Sequence, residues 1–180
     1  MIVRIKKASF EQKPTLGRLM QLYLYDFSEI DPSRVDESDV NQDGLFVYHY
    51  FDSYWSEPDR FPFLIYVEDK IAGFVLVAAH SYYLQEKGEA KSIAEFFVMR
   101  KYRRQGIGRT AAFHIFDMFP GKWEVHQMKA NIGGQQFWRR VIGEYTGGDF
   151  TETFLDNEPW QGPIQVFDNS HKFRTASEGG

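Results

Sequence analysis

A basic, glycine-containing segment follows an apolar run in the middle of the chain. The run ends at Val98, and the segment after it carries Arg100, Lys101, Arg103, Arg104, Gly106, Gly108 and Arg109 with no acidic residue. Two glycines one residue apart let a backbone come close to a ligand, and the first amides of a helix attract an anion. We therefore predict a helix start that binds a phosphorylated cofactor. The plainer alternative is a solvated basic turn with two structural glycines.

Two common phosphate-binding motifs do not fit this segment. No Gly-Lys-Ser or Gly-Lys-Thr sequence follows the glycines, which excludes the loop of P-loop nucleotide hydrolases. The dinucleotide-binding fingerprint needs a third glycine, which is missing after Gly108, and the segment lies in mid-chain. The cofactor must therefore be recognised in another way.

The segment resembles the acetyl-coenzyme A motif of the GNAT superfamily of N-acetyltransferases. The resemblance rests on Arg103-x-x-Gly106-x-Gly108, with Val98 five residues before the arginine. Downstream, Asn131 ends a predicted strand and Phe137-Trp138 follow on a predicted helix, which is similar to the second cofactor-contacting segment of the superfamily. The order of strand, helix and hairpin before the motif also matches. The chain is thus identified as a GNAT member over most of its length.

This resemblance implies acetyl-coenzyme A as the cofactor and assigns residues to it. The loop amides that would cradle the pyrophosphate are those of Arg104, Gln105, Gly106, Ile107, Gly108 and Arg109, and Arg103 would frame the loop. Backbone groups of Phe97 and Val98 would pair with the pantetheine arm. A splay between that strand and the next, residues 123–130, would admit the cofactor, with Asn131 and Phe137 on its far wall.

Acetyl transfer to an amine needs a proton acceptor and a donor to the developing oxyanion, but no nucleophilic side chain. The expected oxyanion donor is the backbone amide of Val98. Our candidate general base is Glu95, although strand alternation puts Glu95 and Val98 on opposite faces unless a bulge intervenes. The alternatives are that Glu95 is exposed or paired with an arginine, and that His126 on the next strand is the base.

The acid that protonates the leaving thiolate is harder to assign. Many superfamily members use a tyrosine on the last helix, and Trp138 stands at the corresponding position. An indole donates a hydrogen bond but cannot deliver a proton at neutral pH. Tyr145 or solvent could replace it, and the plainer interpretation of Tyr145 is a packing residue at a strand edge.

The acceptor amine would bind to the first helix and the region after it. An aromatic and acidic set there could hold a cation: Tyr23, Tyr25, Asp26, Phe27, Glu29, Tyr48, Tyr50, Tyr54 and Trp55. The alternative is that most of these aromatic residues belong to the core. We expect an N-acetyltransferase that acts on a small-molecule primary amine by direct attack in a ternary complex. The other readings are a coenzyme A-binding regulatory module and a protein or peptide N-acetyltransferase.

The composition of the chain limits its domain number, location, partners and metal content. With 180 residues, a net charge of −4 and no cysteine, the chain predicts one cytoplasmic domain over 1–172, a monomer or homodimer, with a flexible tail at 173–180. The acidic balance and the lack of a long apolar run argue against nucleic-acid or membrane partners. The five histidines show no metal-ligand spacing, so no metal site is expected.

Periodicity places these residues on a mixed α/β fold. Strands are expected at 2–6, 63–67, 71–79, 93–99, 123–130, 145–155 and 163–167, and helices at 14–25, 109–119 and 135–142, with a helix or helical turn within 45–55. Residues 31–44 are expected to form a loop or short helix. The resulting fold class is a mostly antiparallel central sheet of six to seven strands, flanked by helices and splayed beside the motif strand.

Overall fold

The computed structural model describes residues 1–30, 39–84, 90–157 and 160–174. Its strands are β1 Val3–Lys7, β2 Arg60–Val67, β3 Lys70–Ala78, β4 Lys91–Val98, β5 Lys122–His126, β6 Thr151–Asn157 and β7 Trp160–Asp168. Its α-helices are α1 Lys13–Ile30, α2 Ser53–Ser56, α3 Ile107–Met118, α4 Ile132–Thr146 and α5 His171–Arg174, and 3-10 turns lie at Phe10–Gln12 and Arg100–Tyr102.

All seven strands join one sheet in the order β1-β2-β3-β4-β5-β7-β6. Every neighbouring pair is antiparallel except β4 and β5, which are parallel and are connected through α3. The predicted fold class, a mostly antiparallel sheet flanked by helices, is confirmed. The single parallel pair creates the feature on which the site depends.

Helices cover both faces of the sheet. On one face α3 and α4 pack over a core that includes Ile115, Phe116 and Trp123. On the other face, α1 buries Leu16, Leu19, Met20 and Tyr23 against Phe74 and Phe97. The α1 residues recur at three- and four-residue spacing, which places them on one side of the helix. The strands between these layers therefore carry core residues on both faces.

Several predicted boundaries were wrong. Strand β5 ends at His126 and α4 is longer than expected, because Asn131 caps its first turn and Gly147, with a φ of 67°, ends it. Residues 145 and 146 therefore belong to a helix, not to a strand. The helical turn expected within 45–55 is reduced to α2. Residues 31–38, 158–159 and 175–180, including most of the predicted tail, lie outside the described residues, and residues 173 and 174 belong to α5.

Among the described residues, no helix combines the length and the apolar character that crossing a bilayer requires.

Candidate active site

A gap between β4 and β5 opens a cleft beside the motif strand. The two strands pair only at Lys91–Trp123, Ser92–Glu124 and Ile93–Val125, so the part of β4 from Ala94 to Val98 has no β5 partner among the described residues. This is the splay predicted from the sequence. A cavity of about 1190 Å³ fills the gap and extends along α1.

A β-bulge in β4 turns Glu95 into this cleft. Leu76 of β3 faces Glu95 and the next residue, Val77, faces Ile93, which makes Ala94 the extra residue. A bulge shifts the alternation of side chains by one position. Ile93 packs in the core under α3, whereas Glu95 points to the opposite face and meets α1. Without the bulge, both side chains would share the α3 face.

The buried Tyr23 holds the Glu95 carboxylate, and the half-buried Tyr48 lies near it. The Tyr23 hydroxyl of α1 donates a hydrogen bond to Glu95 Oε2. Burial, followed by the negative charge of Glu95, raises the pKa of Tyr23 and of Tyr48. Both hydroxyls therefore stay protonated and able to donate. Glu95 lines the cleft beside α1, so the alternative of a carboxylate on an exposed face is wrong.

The backbone amide of Val98 points into the gap. Met99 N donates to Ala72 O of β3 at 2.8 Å, and successive amides of a strand alternate in direction, so the Val98 amide points away from β3. The Val98 carbonyl faces the same way and accepts from Arg103 Nε at 2.7 Å. The bulge lies before Glu95, so the Glu95 and Val98 side chains still point to opposite faces. The role expected of Val98 uses its backbone amide, which lies in the plane of the sheet. The alternation of side chains between the two faces therefore does not prevent Val98 and Glu95 from acting together.

Phe97 has its backbone turned the other way. A Cβ on Gly73 of β3 would come within 1.9 Å of the Phe97 carbonyl oxygen, so that oxygen faces β3. By alternation, Phe96 and Val98 present their backbone groups to the gap. We therefore revise the predicted backbone contact from Phe97 to Phe96. Phe97 lines the cleft, and its side chain packs in the core under α1.

The loop end of the cleft, which we define as residues 104–109, is the uncapped start of α3. Gly106 is the N-cap residue with a φ of 78°, and Arg104 also has a positive φ of 61°. Glycine has no side chain to accept from the first-turn amides, so these amides are free to bind a ligand. A Cβ on Gly106 would meet no atom within 4 Å, so the loop is open on that side. The backbone thus offers a row of donors at the positive end of a helix dipole.

Two of the predicted cations are tied to α1. Asp26 Oδ1 accepts from Arg100 Nη2 at 2.7 Å, and its other oxygen binds Arg103. Burial acts to raise the pKa of Asp26, but the hydrogen bonds and charges of the two guanidinium groups lower it below its usual value. Arg103 therefore acts as a brace between α1 and the Val98 carbonyl.

The other arginines that line the cleft differ in whether a carboxylate already pairs with them. Arg109 is paired with Glu144 of α4. Arg104 and Arg140 line the cleft, and within the described part of the chain neither forms an ion pair. Arg140, on α4, was missed because helix spacing alone does not show that it reaches the loop end. These two arginines can neutralise an anion without first giving up a carboxylate.

The start of α4 forms the far wall of the loop end. A Cβ on Gly108 would lie 3.3 Å from the Phe137 ring, so glycine lets α3 pack closely against Phe137. Asn131 Oδ1 accepts from Gly134 N at 2.9 Å and so serves as the N-cap of α4. Trp138 is buried against Phe96, with ring centroids 5.0 Å apart.

The ring end of the cleft, which we define as His80, Tyr82, His126 and Trp160, lies where β4 and β5 begin to separate. Tyr82 stacks on Trp160 at 5.6 Å and meets His80 and His126 edge-on at 4.8 and 5.0 Å. Burial, with the nearby His80, lowers the pKa of His126 to about 4. The imidazole is therefore neutral at neutral pH. Except for His126, sequence reasoning missed these residues, since they come from three separate segments.

A buried carboxylate fixes the segment that carries Tyr82. Glu124 is fully buried on β5, and its two oxygens accept from the amides of Tyr82, Tyr83 and Leu84 at 2.7 to 3.1 Å. A buried carboxylate is tolerated only when hydrogen bonds replace its water shell. The three bonds therefore hold Tyr82 in place over the ring end.

Ten of the twelve residues predicted for the site line the cleft. The exceptions are Ile107, whose side chain is in the core, and Gln105, whose Nε2 donates to Lys101 O at 2.7 Å. Their predicted roles use backbone amides, which stay on the loop. Tyr145 is buried in the core and donates to Asp117 Oδ1 at 2.7 Å, so it is not an acid facing the cleft and not a strand-edge residue.

The proposed acceptor set divides between cleft and core. The members that line the cleft are Tyr23, Asp26, Phe27, Glu29, Tyr48 and Tyr50. Tyr54 is buried in the core, Trp55 packs against Phe51, and Tyr25 is 64% exposed. Within the described residues, no cluster of three or more histidine or acidic side chains could hold a metal ion.

A family model described as the acetyltransferase (GNAT) family matches residues 20–143, which include most of α1, the gap, the loop end and most of α4. The chain belongs to the GNAT acetyltransferase family. Membership confirms the predicted acyltransferase class and acetyl-coenzyme A as its cofactor. Among curated proteins, no sequence matches this GNAT chain.

Solved structures share the fold of this GNAT acetyltransferase at low sequence identity. An acetyltransferase from Thermus thermophilus is 11% identical with a TM-score of 0.63, over 93% of this chain and 97% of that one. Aminoglycoside acetyltransferase AAC(6')-Ib, crystallised with coenzyme A, is 13% identical with a TM-score of 0.63, over 97% and 99%. Spermidine N-acetyltransferase from Vibrio cholerae, crystallised with coenzyme A and spermine, is 12% identical with a TM-score of 0.57, over 93% and 96%.

Proposed function

We propose that this GNAT acetyltransferase moves an acetyl group from acetyl-coenzyme A to a primary amine of a small molecule. The observation that carries the proposal is the gap between β4 and β5, because it joins an uncapped helix start to a carboxylate held by a tyrosine. The helix start suits a diphosphate, and the carboxylate suits an amine. The transfer is a direct attack within a ternary complex.

The loop end fits the cofactor on two counts. The positive φ of Gly106 and the open space at its Cβ position leave the first amides of α3 accessible to a pyrophosphate. Arg104 and Arg140 supply positive charge that no carboxylate among the described residues neutralises. The amides of residues 104–109 would hold the pyrophosphate, and the backbone groups of Phe96 and Val98 would pair with the pantetheine arm. Asn131 and Phe137 would form its far wall.

The acetyl group is supplied as a thioester, and the residues of this chain prepare the attack on it. Glu95 accepts a proton from the attacking amine nitrogen, which forms the new bond to the carbonyl carbon as the carbon–sulfur bond breaks. The Val98 amide donates to the carbonyl oxygen as negative charge develops there. Arg103 fixes Val98 through its carbonyl. Tyr23 keeps Glu95 in a single orientation.

The proton for the departing sulfur comes from solvent in this proposal. Trp138 cannot release a proton, and Tyr145 faces Asp117 in the core. The cysteine thiol has a reference pKa of about 8.5, so a thiolate leaving group of this kind would take its proton from water without an acidic side chain. The absence of a tyrosine at position 138 is thus compatible with turnover.

The ring end supports a small acceptor. Rings from three segments, with Glu124 holding one of them, give this end fixed walls. Solved structures of the same fold include enzymes named for aminoglycosides and for spermidine, which are small amines, as well as one named for a ribosomal protein. We further propose one domain over 1–172, because a single sheet includes strands from Val3 to Asp168, and a cytoplasmic monomer or homodimer.

Free thiol release from acetyl-coenzyme A tests this function with a panel of polyamines, aminoglycosides, amino acids and peptides. We expect turnover on at least one small amine and none on peptides. Turnover on peptides alone would identify a protein N-acetyltransferase. Coenzyme A binding without any turnover would identify a regulatory module, and a lack of coenzyme A binding would refute the proposal.

A further inference from the structure

The ring end contains two nitrogen atoms with unmet hydrogen-bonding capacity. His126 Nδ1 and Trp160 Nε1 are buried, and neither has a hydrogen-bond partner among the described residues. Their rings lie 4.5 Å apart, centroid to centroid, and both line the cleft. Buried polar atoms are nearly always satisfied in native proteins, so such a pair is suited to a hydrogen-bonding group that the described residues do not supply.

These atoms lie beside the proposed reaction centre. His126 follows Val125, the last β5 residue paired with β4, so it stands level with the bulge at Ala94. His126 and Glu124 lie on the same face of β5, and Glu95 after the bulge lies on the corresponding face of β4. An acceptor whose amine is at Glu95 therefore places its next few atoms at the ring end.

The chemistry of the ring end favours an uncharged polar group over a second cation. Tyr82 and Trp160 stack on each other, so one face of each ring is covered. Glu124 is buried, and its oxygens accept three amides. The buried ring-end atoms without a partner among the described residues are an indole N–H, which only donates, and a neutral imidazole nitrogen.

We propose that the ring end recognises a hydroxyl or amide group a few atoms from the acceptor amine, through Trp160 Nε1 and His126 Nδ1. This inference rests on the proposed function and specifies its substrate class. The indole N–H donates to the oxygen of that group, and the imidazole completes the pairing. Glu124 is a positioning residue here, because it holds Tyr82 against Trp160 and keeps the rings in place.

Matched amines of equal length test this inference. Wild-type protein is assayed for thiol release with ω-hydroxyalkylamines, alkylamines in which a methyl group replaces the hydroxyl, and α,ω-diamines, each with two to six carbons. We expect kcat/KM for the best hydroxyalkylamine to exceed that of its alkylamine by about tenfold or more, because an unmatched alkyl group leaves buried polar atoms unpaired.

Trp160→Phe removes the donor and keeps an aromatic ring, and Tyr83→Phe, at a side chain that is 48% exposed, is the matched control. We expect the preference for the hydroxyl to fall to near unity in Trp160→Phe and to persist in Tyr83→Phe. Coenzyme A affinity should be unchanged in both variants, and alkylamine turnover should be unchanged in Tyr83→Phe. Equal wild-type rates for the two amines, a preference for diamines, or a preference that survives in Trp160→Phe would overturn the inference while leaving acetyl transfer intact. Failure to acetylate any amine would instead overturn the proposed function.

Discussion

The loop end and the ring end of the cleft are built in different ways. The loop end is one continuous segment, residues 104–109, whose binding groups are backbone amides exposed by Gly106. The ring end takes side chains from the β3–β4 connection, β5 and β7, and a buried carboxylate holds one of them. The neighbouring Glu95 depends on the bulge in β4. A binding site made from backbone needs only local sequence, whereas one made from side chains needs the whole sheet. Substitutions at the two ends should therefore affect different steps.

Of the variants considered, Glu95→Gln is expected to separate catalysis from coenzyme A binding most strongly. The amide keeps the size of the side chain but cannot accept a proton from the amine, so kcat should fall about 1000-fold. The dissociation constant of coenzyme A, measured by calorimetry, should stay within twofold of wild type. Glu11→Gln, on the exposed turn before α1, serves as the control and should change neither quantity. An equal loss of coenzyme A affinity would show that the role of Glu95 is not separate from the loop end.

Gly106→Val should have the opposite effect. A β-branched residue at a φ of 78° forces the loop out of its conformation, and its side chain covers the amides. We expect coenzyme A affinity to fall about 100-fold.

Gly44→Val is a close control for that change. Gly44 has a φ of 74° and, like Gly106, no atom within 4 Å of its Cβ position, but it lies in a different loop. Its valine variant carries a similar backbone penalty and should keep wild-type affinity for coenzyme A. If both variants bound coenzyme A equally, the assignment of the loop end would be wrong.

Glu124→Gln should disturb the ring end alone. Its amide nitrogen is a donor where an acceptor is required, so at least one of the three backbone bonds is lost. We expect the acceptor KM to rise about tenfold while coenzyme A affinity is unchanged. A thermal melt accompanies the kinetics, because an effect on folding alone would lower the active fraction and kcat without raising KM.

Arg104→Ala should have the smallest effect. Loss of one exposed cation at the loop end should weaken coenzyme A binding about fivefold at low salt, and less at high salt, because screening reduces exposed charge interactions. Lys101→Ala removes an exposed cation of the neighbouring turn whose side chain does not line the cleft, and it should leave affinity unchanged. A loss that does not vary with salt would exclude the charge as its cause.

The same contrast explains what the sequence could predict. The glycines and arginines of 103–109 are adjacent in the chain, so their spacing alone predicted the loop and, with Asn131 and Phe137, the family. Glu95 was selected from its place before Val98, but the bulge at Ala94 that turns it toward Tyr23 depends on pairing with β3. The ring end depends on the contact of β5 with β7, and Tyr145 was assigned to a strand because the capped length of α4 was underestimated.

Amide chemical shifts during a coenzyme A titration test the central claim most directly. In ¹⁵N-labelled protein, we predict large shifts for the amides of residues 104–109 and of Phe96 and Val98. Those of Phe97 and Met99, which face β3, should move less. The absence of shifts at the loop end, or shifts along β4 that favour Phe97 over Phe96 and Val98, would contradict the account.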